Sequence, residues 1–137
     1  MLKISMAKSI IIRRLWPALA WALMILIITG VPGAYFPEVV TFWVWLSPDK
    51  AVHIFIFGVQ AFLLMFAFNV QYLSAKERFV YGALLLLAAI LFALLTEVLQ
   101  AFVFIGRNGN VYDFIADVVG VLAGLLAYIL FYKKKEE

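Results

Sequence analysis

Glu97, Gln100, Asp113 and Asp117 stand inside two long apolar runs, which meet at a loop holding Gly106, Arg107, Asn108, Gly109 and Asn110. A second polar set, Asp49, Lys50 and His53, opens an earlier apolar run. Carboxylates, an imidazole, an ammonium and a guanidinium are the groups that hold anions or cations and move protons. Asp49/His53 and Asp113/Asp117 are i,i+4 pairs and Glu97/Gln100 is an i,i+3 pair, so each pair occupies one face of a helix. Gln60, seven residues after His53, continues that face. An ionisable group inside a membrane span costs about 2.5–3.5 kcal/mol on insertion scales, so such faces turn toward partners within a bundle.

Each of these residues also has a plain structural use. Asp49 and Asp113 suit helix starts, and Lys50 can run its stem along the apolar surface to the interface. A lone buried His53 is an ordinary hydrogen-bonded packing residue. Arg107 can serve as the counter-ion of Glu97, Asp113 and Asp117. The Gly120-x-x-x-Gly124 pair reads as close helix packing. Glu97 is hardest to explain this way, because it is acidic, deep and far from any helix start; Asp117 is next.

The elements that carry these groups follow from composition. The chain of 137 residues is 67% hydrophobic and 14% charged, against roughly 45–50% and 25% in soluble domains. That is one membrane domain, not a water-soluble globule. The net charge of +3 carries no nucleic-acid signal, since the basic residues sit in short clusters flanking apolar runs. With no cysteine, disulfides, thiolate metal sites and thiol nucleophiles are excluded.

Four spans are expected, at about 13–29, 49–68, 77–104 and 111–132. The first follows a basic segment and reads as a retained helix in preference to a secretory signal. Gly30-Val31-Pro32-Gly33 ends it. Residues 34–46, with Tyr35, Phe36, Phe42, Trp43 and Trp45, read as an interfacial aromatic segment. Ser47-Pro48-Asp49 marks one helix start, and Ser74-Ala75-Lys76-Glu77 fits a capping box. Asn110-Val111-Tyr112-Asp113 is expected to cap the last span similarly.

Nine of the eleven Lys and Arg residues lie before the first span, in the loop near Ser74 or in the tail, leaving Lys50 and Arg107 on the other side. The positive-inside rule therefore predicts cytoplasmic termini. Asp49, Lys50, His53, Glu97, Gln100, Arg107, Asp113 and Asp117 then fall in the outer half of the bilayer, with Glu97 roughly 12 Å inward from Ile105 and Asp117 roughly 9 Å inward from Val111 at the helical rise. An outward-opening polar pocket is expected.

The elements Asp49-Lys50-x-x-His53, Glu97-x-x-Gln100-x-Phe102, Gly106-Arg107 and Asp113-x-x-Ala116-Asp117-x-x-Gly120-x-x-x-Gly124, in this order on a four-span chain, resemble the VanZ-like family. The stretch between Gln100 and Arg107 lacks the proline common in that family, and Asp117 stands where many members have Asn. The family is named for an accessory protein of glycopeptide-antibiotic resistance, associated with teicoplanin. The resemblance implies an all-α, multi-pass protein of the bacterial plasma membrane.

Three functions compete. In the first, Arg107 and Lys50 hold a phosphate or carboxylate of a lipid-linked envelope precursor or an acyl-tailed glycopeptide, while Asp49, His53, Glu97, Gln100, Asp113 and Asp117 take its hydroxyl, amide or amine groups. In the second, an intramembrane hydrolase or transferase uses Glu97 as general base with His53 as its partner or acid. A divalent ion on Asp113, Asp117, Glu97 and His53 is a variant of this reading, which no nucleophile motif accompanies. In the third, the network only orders the bundle. Binding of membrane lipid or lipid-linked ligand is the preferred reading, with no cofactor implied and no metal ligands assigned from spacing. A transporter is disfavoured because the polar set stops before the cytoplasmic half.

Overall fold

Helices laid out by this pattern should be large and apolar outside, small or polar inside. The computed structural model describes residues 2–32, 35, 48–68, 70 and 73–136, with side chains described from 13 to 132 within these. It contains α1 (Leu2–Gly30), α2 (Pro48–Ala67), α3 (Ala75–Phe102) and α4 (Val111–Glu136), and no strand among the described residues. All four are long and apolar enough to cross a bilayer, so the chain is a multi-pass membrane protein. Apart from the exposed Tyr35, the expected aromatic segment lies outside the described residues, as does the Ser47 cap.

Helix α3 shows the inverted pattern clearly. Leu84, Leu87, Leu91, Leu94, Leu95 and Val98 are exposed, while Leu85, Ala89, Ala93, Thr96, Glu97 and Gln100 are buried. Lipid tails are as apolar as leucine, so burying leucine gains little and interfaces select small residues and hydrogen-bonding groups. The capping box that starts α3 is formed, with Ser74 Oγ accepting from the Glu77 amide and Glu77 Oε2 accepting from the Ser74 amide at 3.2 Å.

The most extensive interface joins α2 and α4. These two run parallel: His53 meets Asp117 near their starts and Phe62 meets Tyr128 near their ends. Parallel neighbours two spans apart form the diagonal of an up-and-down bundle, and here the diagonal is closed. A Cβ on Gly120 would run into the backbone of Ile54, and one on Gly124 into the backbone of Gly58. Below this crossing Met65, Val70, Leu85 and Tyr128 pack together. At its level Ile25, Phe57, Ala93 and Val121 bring α1 and α3 onto the same core, and Trp21 Nε1 donates to the Ile56 carbonyl at 2.8 Å.

Gly120→Val and Gly124→Val should therefore wedge α2 from α4 and lower stability by about 1–3 kcal/mol or more, since backbone cannot yield as a side chain does. Gly82→Val, where a Cβ would meet nothing within 4 Å, is the control expected to leave it unchanged. Thermal unfolding of the three variants in one detergent checks the difference.

Candidate functional site

The polar faces meet at the end of the bundle where α2 and α4 begin and α3 ends. Helix α2 supplies Asp49, Lys50 and His53, spaced so that one face carries an acid, a base and an imidazole. Helix α4 supplies Asp113 and Asp117 from its first two turns, and α3 supplies Glu97 from its penultimate turn.

His53 is the centre. Its Nδ1 lies 2.8 Å from Asp117 Oδ1, and its Nε2 is turned toward Asp49 Oδ1 at 4.0 Å. Glu97 joins the Asp117 side: one ligating atom each from His53, Glu97 and Asp117 can be chosen so that all lie within 4.8 Å of one another. Asp113 joins the Asp49 side under the same limit, and Lys50 Nζ approaches Asp113 Oδ1 at 3.4 Å. The expected convergence of acids and histidine from separate helices is present. The basic side chains found against Asp113 and Asp117 are Lys50 and His53, both from α2.

Glu97 does two jobs. Its Oε2 accepts the Asn110 backbone N–H at 2.8 Å, across from α3 to the start of α4. In a capping box that amide would be taken by the carboxylate three residues on, here Asp113. The expected box around Asn110 is thus not the one formed. Asn110 Oδ1 accepts from the Tyr112 amide at 3.0 Å, Glu97 takes the Asn110 amide, and Asp113 is left to face Lys50. Gly109 makes this approach feasible, because a Cβ there would stand 2.7 Å from both the Glu97 carbonyl oxygen and Ala101 Cβ.

One expected member stands apart from the cluster, and another acts on it from the loop. Gln100 Nε2 donates to the Thr29 carbonyl at 3.1 Å, one of the carbonyls left without a helical partner at the end of α1. Its amide therefore docks α1. Arg107 is half-buried in the α3–α4 loop, within electrostatic reach of Glu97. The residues that spacing did not single out are Thr29, which carried no signal, and the Asn110 amide, which the preceding Gly109 could have flagged.

The cluster is closed. Asp117 exposes 0% of its surface, His53 3% and Glu97 7%, whereas the side chain of Asp49 exposes 55%. The outward-opening pocket expected from the sequence is, among the described residues, a packed knot with Asp49 and Lys50 at its rim. An apolar groove of about 540 Å³, lined by Met65, Arg78, Leu86 and Tyr128, lies at the opposite end of the bundle. Within the knot, Glu97 Oε1, Asp113 Oδ1 and Asp117 Oδ2 are buried with no hydrogen-bond partner among the described residues, and of these Asp113 Oδ1 has the Lys50 ammonium at 3.4 Å. Such orphan oxygens are costly unless something fills the role of donor or cation.

Glu97→Ala should remove the acceptor of the Asn110 amide and destabilise by about 1–3 kcal/mol, the cost of a buried donor left unpaired. Glu97→Gln keeps an oxygen there and should retain most of that stability. Unfolding of the two variants side by side distinguishes the cap from the charge.

The chain matches the model of one protein family, described as VanZ/LLP1, over residues 10–132. No curated protein and no solved structure shows significant similarity to it. The matched span takes in the four spans and every residue of the cluster, and on it the chain belongs to the VanZ/LLP1 family.

Proposed function

We propose that this protein sits in the bacterial plasma membrane with both termini in the cytoplasm and binds, through its polar knot, the head group of an envelope-associated lipid-linked molecule or a lipid-tailed glycopeptide. The single observation behind this reading is that ionisable groups from three helices converge at one end of the bundle. A network that served only to order the bundle would satisfy its own members, but Glu97 and Asp117 each retain a buried oxygen with no partner.

The rim supplies the first contacts. Lys50 and Arg107 offer positive charge to a phosphate or carboxylate, and the exposed Asp49 accepts from an amine or hydroxyl. Recruitment from the outer leaflet requires no path through the bundle. The resistance association of the family's namesake makes a teicoplanin-like molecule one candidate and a lipid-linked wall precursor the other; their shared chemistry is an acyl anchor with a polar head. No residue in the knot is a nucleophile of the serine or cysteine type, so binding is the reading put forward, with turnover secondary.

Orientation is tested first. The chain contains no cysteine, so a single introduced thiol reports one position. Asn108→Cys should react with a membrane-impermeant maleimide on intact cells and Lys76→Cys only after lysis; the reverse pattern would put the knot on the wrong side.

Binding is tested by mass spectrometry of the lipids that co-purify. A species enriched with the wild type should be depleted with Lys50→Ala and with Arg107→Ala. Identical lipid profiles, together with unchanged teicoplanin susceptibility in a producing strain, would refute the binding reading.

A further inference from the structure

His53 belongs to two groups of acids, and the group with Glu97 and Asp117, whose Oδ1 lies 2.8 Å from His53 Nδ1, is the buried one. There Glu97 and Asp117 bring two carboxylates against one imidazole, at 93% burial or more, given exposures of 7% and 0%. The nearby ammonium, Lys50, is engaged by Asp113 on the other side. Two carboxylates and an imidazole in a low-dielectric interior are costly to hold without added positive charge, and Arg107 acts on Glu97 from the half-buried loop. The unpartnered Glu97 Oε1 and Asp117 Oδ2 lie in this same buried group.

We propose that His53, Glu97 and Asp117 form a binding site for one divalent transition-metal ion. A dication cancels the charge of the two carboxylates, so the occupied site is neutral. The geometry needs little adjustment: ligand atoms about 2.0 Å from a tetrahedral ion stand roughly 3.3 Å apart, and His53 Nδ1 and Asp117 Oδ1 already stand at 2.8 Å. The three ligating atoms all fit within 4.8 Å. One nitrogen with two oxygens suits zinc or manganese better than magnesium, because an imidazole is a poor ligand for the hardest ions. With Nδ1 on the metal, Nε2 carries the proton and faces Asp49, which orients the ring as carboxylates commonly do for ligating histidines.

Three protein ligands leave a coordination position open, the arrangement of exchangeable metal sites, whereas structural ones are closed by four. That position is one a phosphate or carboxylate head group can take. The role for a head group rests on the proposed function, but the metal site itself does not, and its test contains no lipid ligand.

The full chain is purified in detergent, stripped with chelator and titrated with Zn²⁺ alone, with Co²⁺ as an optical probe. The wild type should take up a single equivalent of Zn²⁺ and give with Co²⁺ the visible absorption of an ion held by nitrogen and oxygen. Glu97→Gln preserves the oxygen that caps α4, so it should fold and yet lose affinity by more than about 100-fold, beyond the usual cost of removing a supporting partner. Asp117→Asn should do the same, while Asp49→Asn should lose about tenfold as a supporting partner. Asp113→Asn should bind as the wild type does, and excess Mg²⁺ should not compete. The assignment is overturned by no stoichiometric uptake, by undiminished uptake in folded Glu97→Gln, by loss in Asp113→Asn instead, or by displacement with Mg²⁺.

Discussion

His53 and Asp117 can meet at 2.8 Å because α2 and α4 touch backbone to backbone just below them. Two parallel helices on the diagonal of a bundle are ordinarily held apart by side chains. Here Gly58, Gly120 and Gly124 remove them, and each step of the crossing brings the carbonyl oxygens of one helix against the bare Cα atoms of the other. The pairing of His53 with Asp117 depends on that approach. Were the diagonal a few ångströms wider, His53 would face an empty core and Asp117 would have lost its partner. Lipid offers neither a hydrogen bond nor a counter-charge in compensation.

From that contact outward, the polar residues divide by what they touch. Gln100 holds the end of α1, Ser74 and Glu77 start α3, and Asn110 with Glu97 starts α4. These bonds satisfy backbone groups that helix ends leave open. His53, Asp113 and Asp117 touch other side chains, and the oxygens that remain unpartnered in the knot belong to acids. Glu97 belongs to both groups: one oxygen is architectural and the other is free for chemistry. This explains how a carboxylate can sit so deep without unfolding the helix that carries it.

Much of this was legible in the chain. Hydropathy alone marks four spans, and the observed helices depart from the expected bounds by a residue or two, except that α1 and α4 run on through basic ends. Spacing of i,i+4 puts Asp49 with His53 and Asp113 with Asp117 on single faces, and His53, Asp113 and Asp117 do turn inward while Asp49 stays at the exposed rim. The Ser74 box follows from local sequence because all its atoms lie within one turn. What spacing could not supply was partnership between helices. That Gln100 caps α1, that Glu97 replaces Asp113 at the Asn110 amide, and that the expected pocket closes into a knot all depend on which helices are neighbours and at what register. Register is set by glycine contacts between α2 and α4, a tertiary fact that a one-dimensional pattern contains only as the hint of Gly120-x-x-x-Gly124.

The convergence at His53 can be read with a single label. His53 is the one histidine in the chain, so a protein carrying ¹⁵N-histidine reports on that ring alone. In lipid nanodiscs, Asp117→Asn should move the Nδ1 resonance strongly, because Asp117 stands 2.8 Å from that nitrogen, and Glu97→Gln should move the ring signals too, because Glu97 shares the same buried group. Glu77→Gln, at the far end of α3, should leave it in place. A His53 spectrum indifferent to Asp117→Asn would mean that the acids and the imidazole do not meet, and would contradict the account at its base.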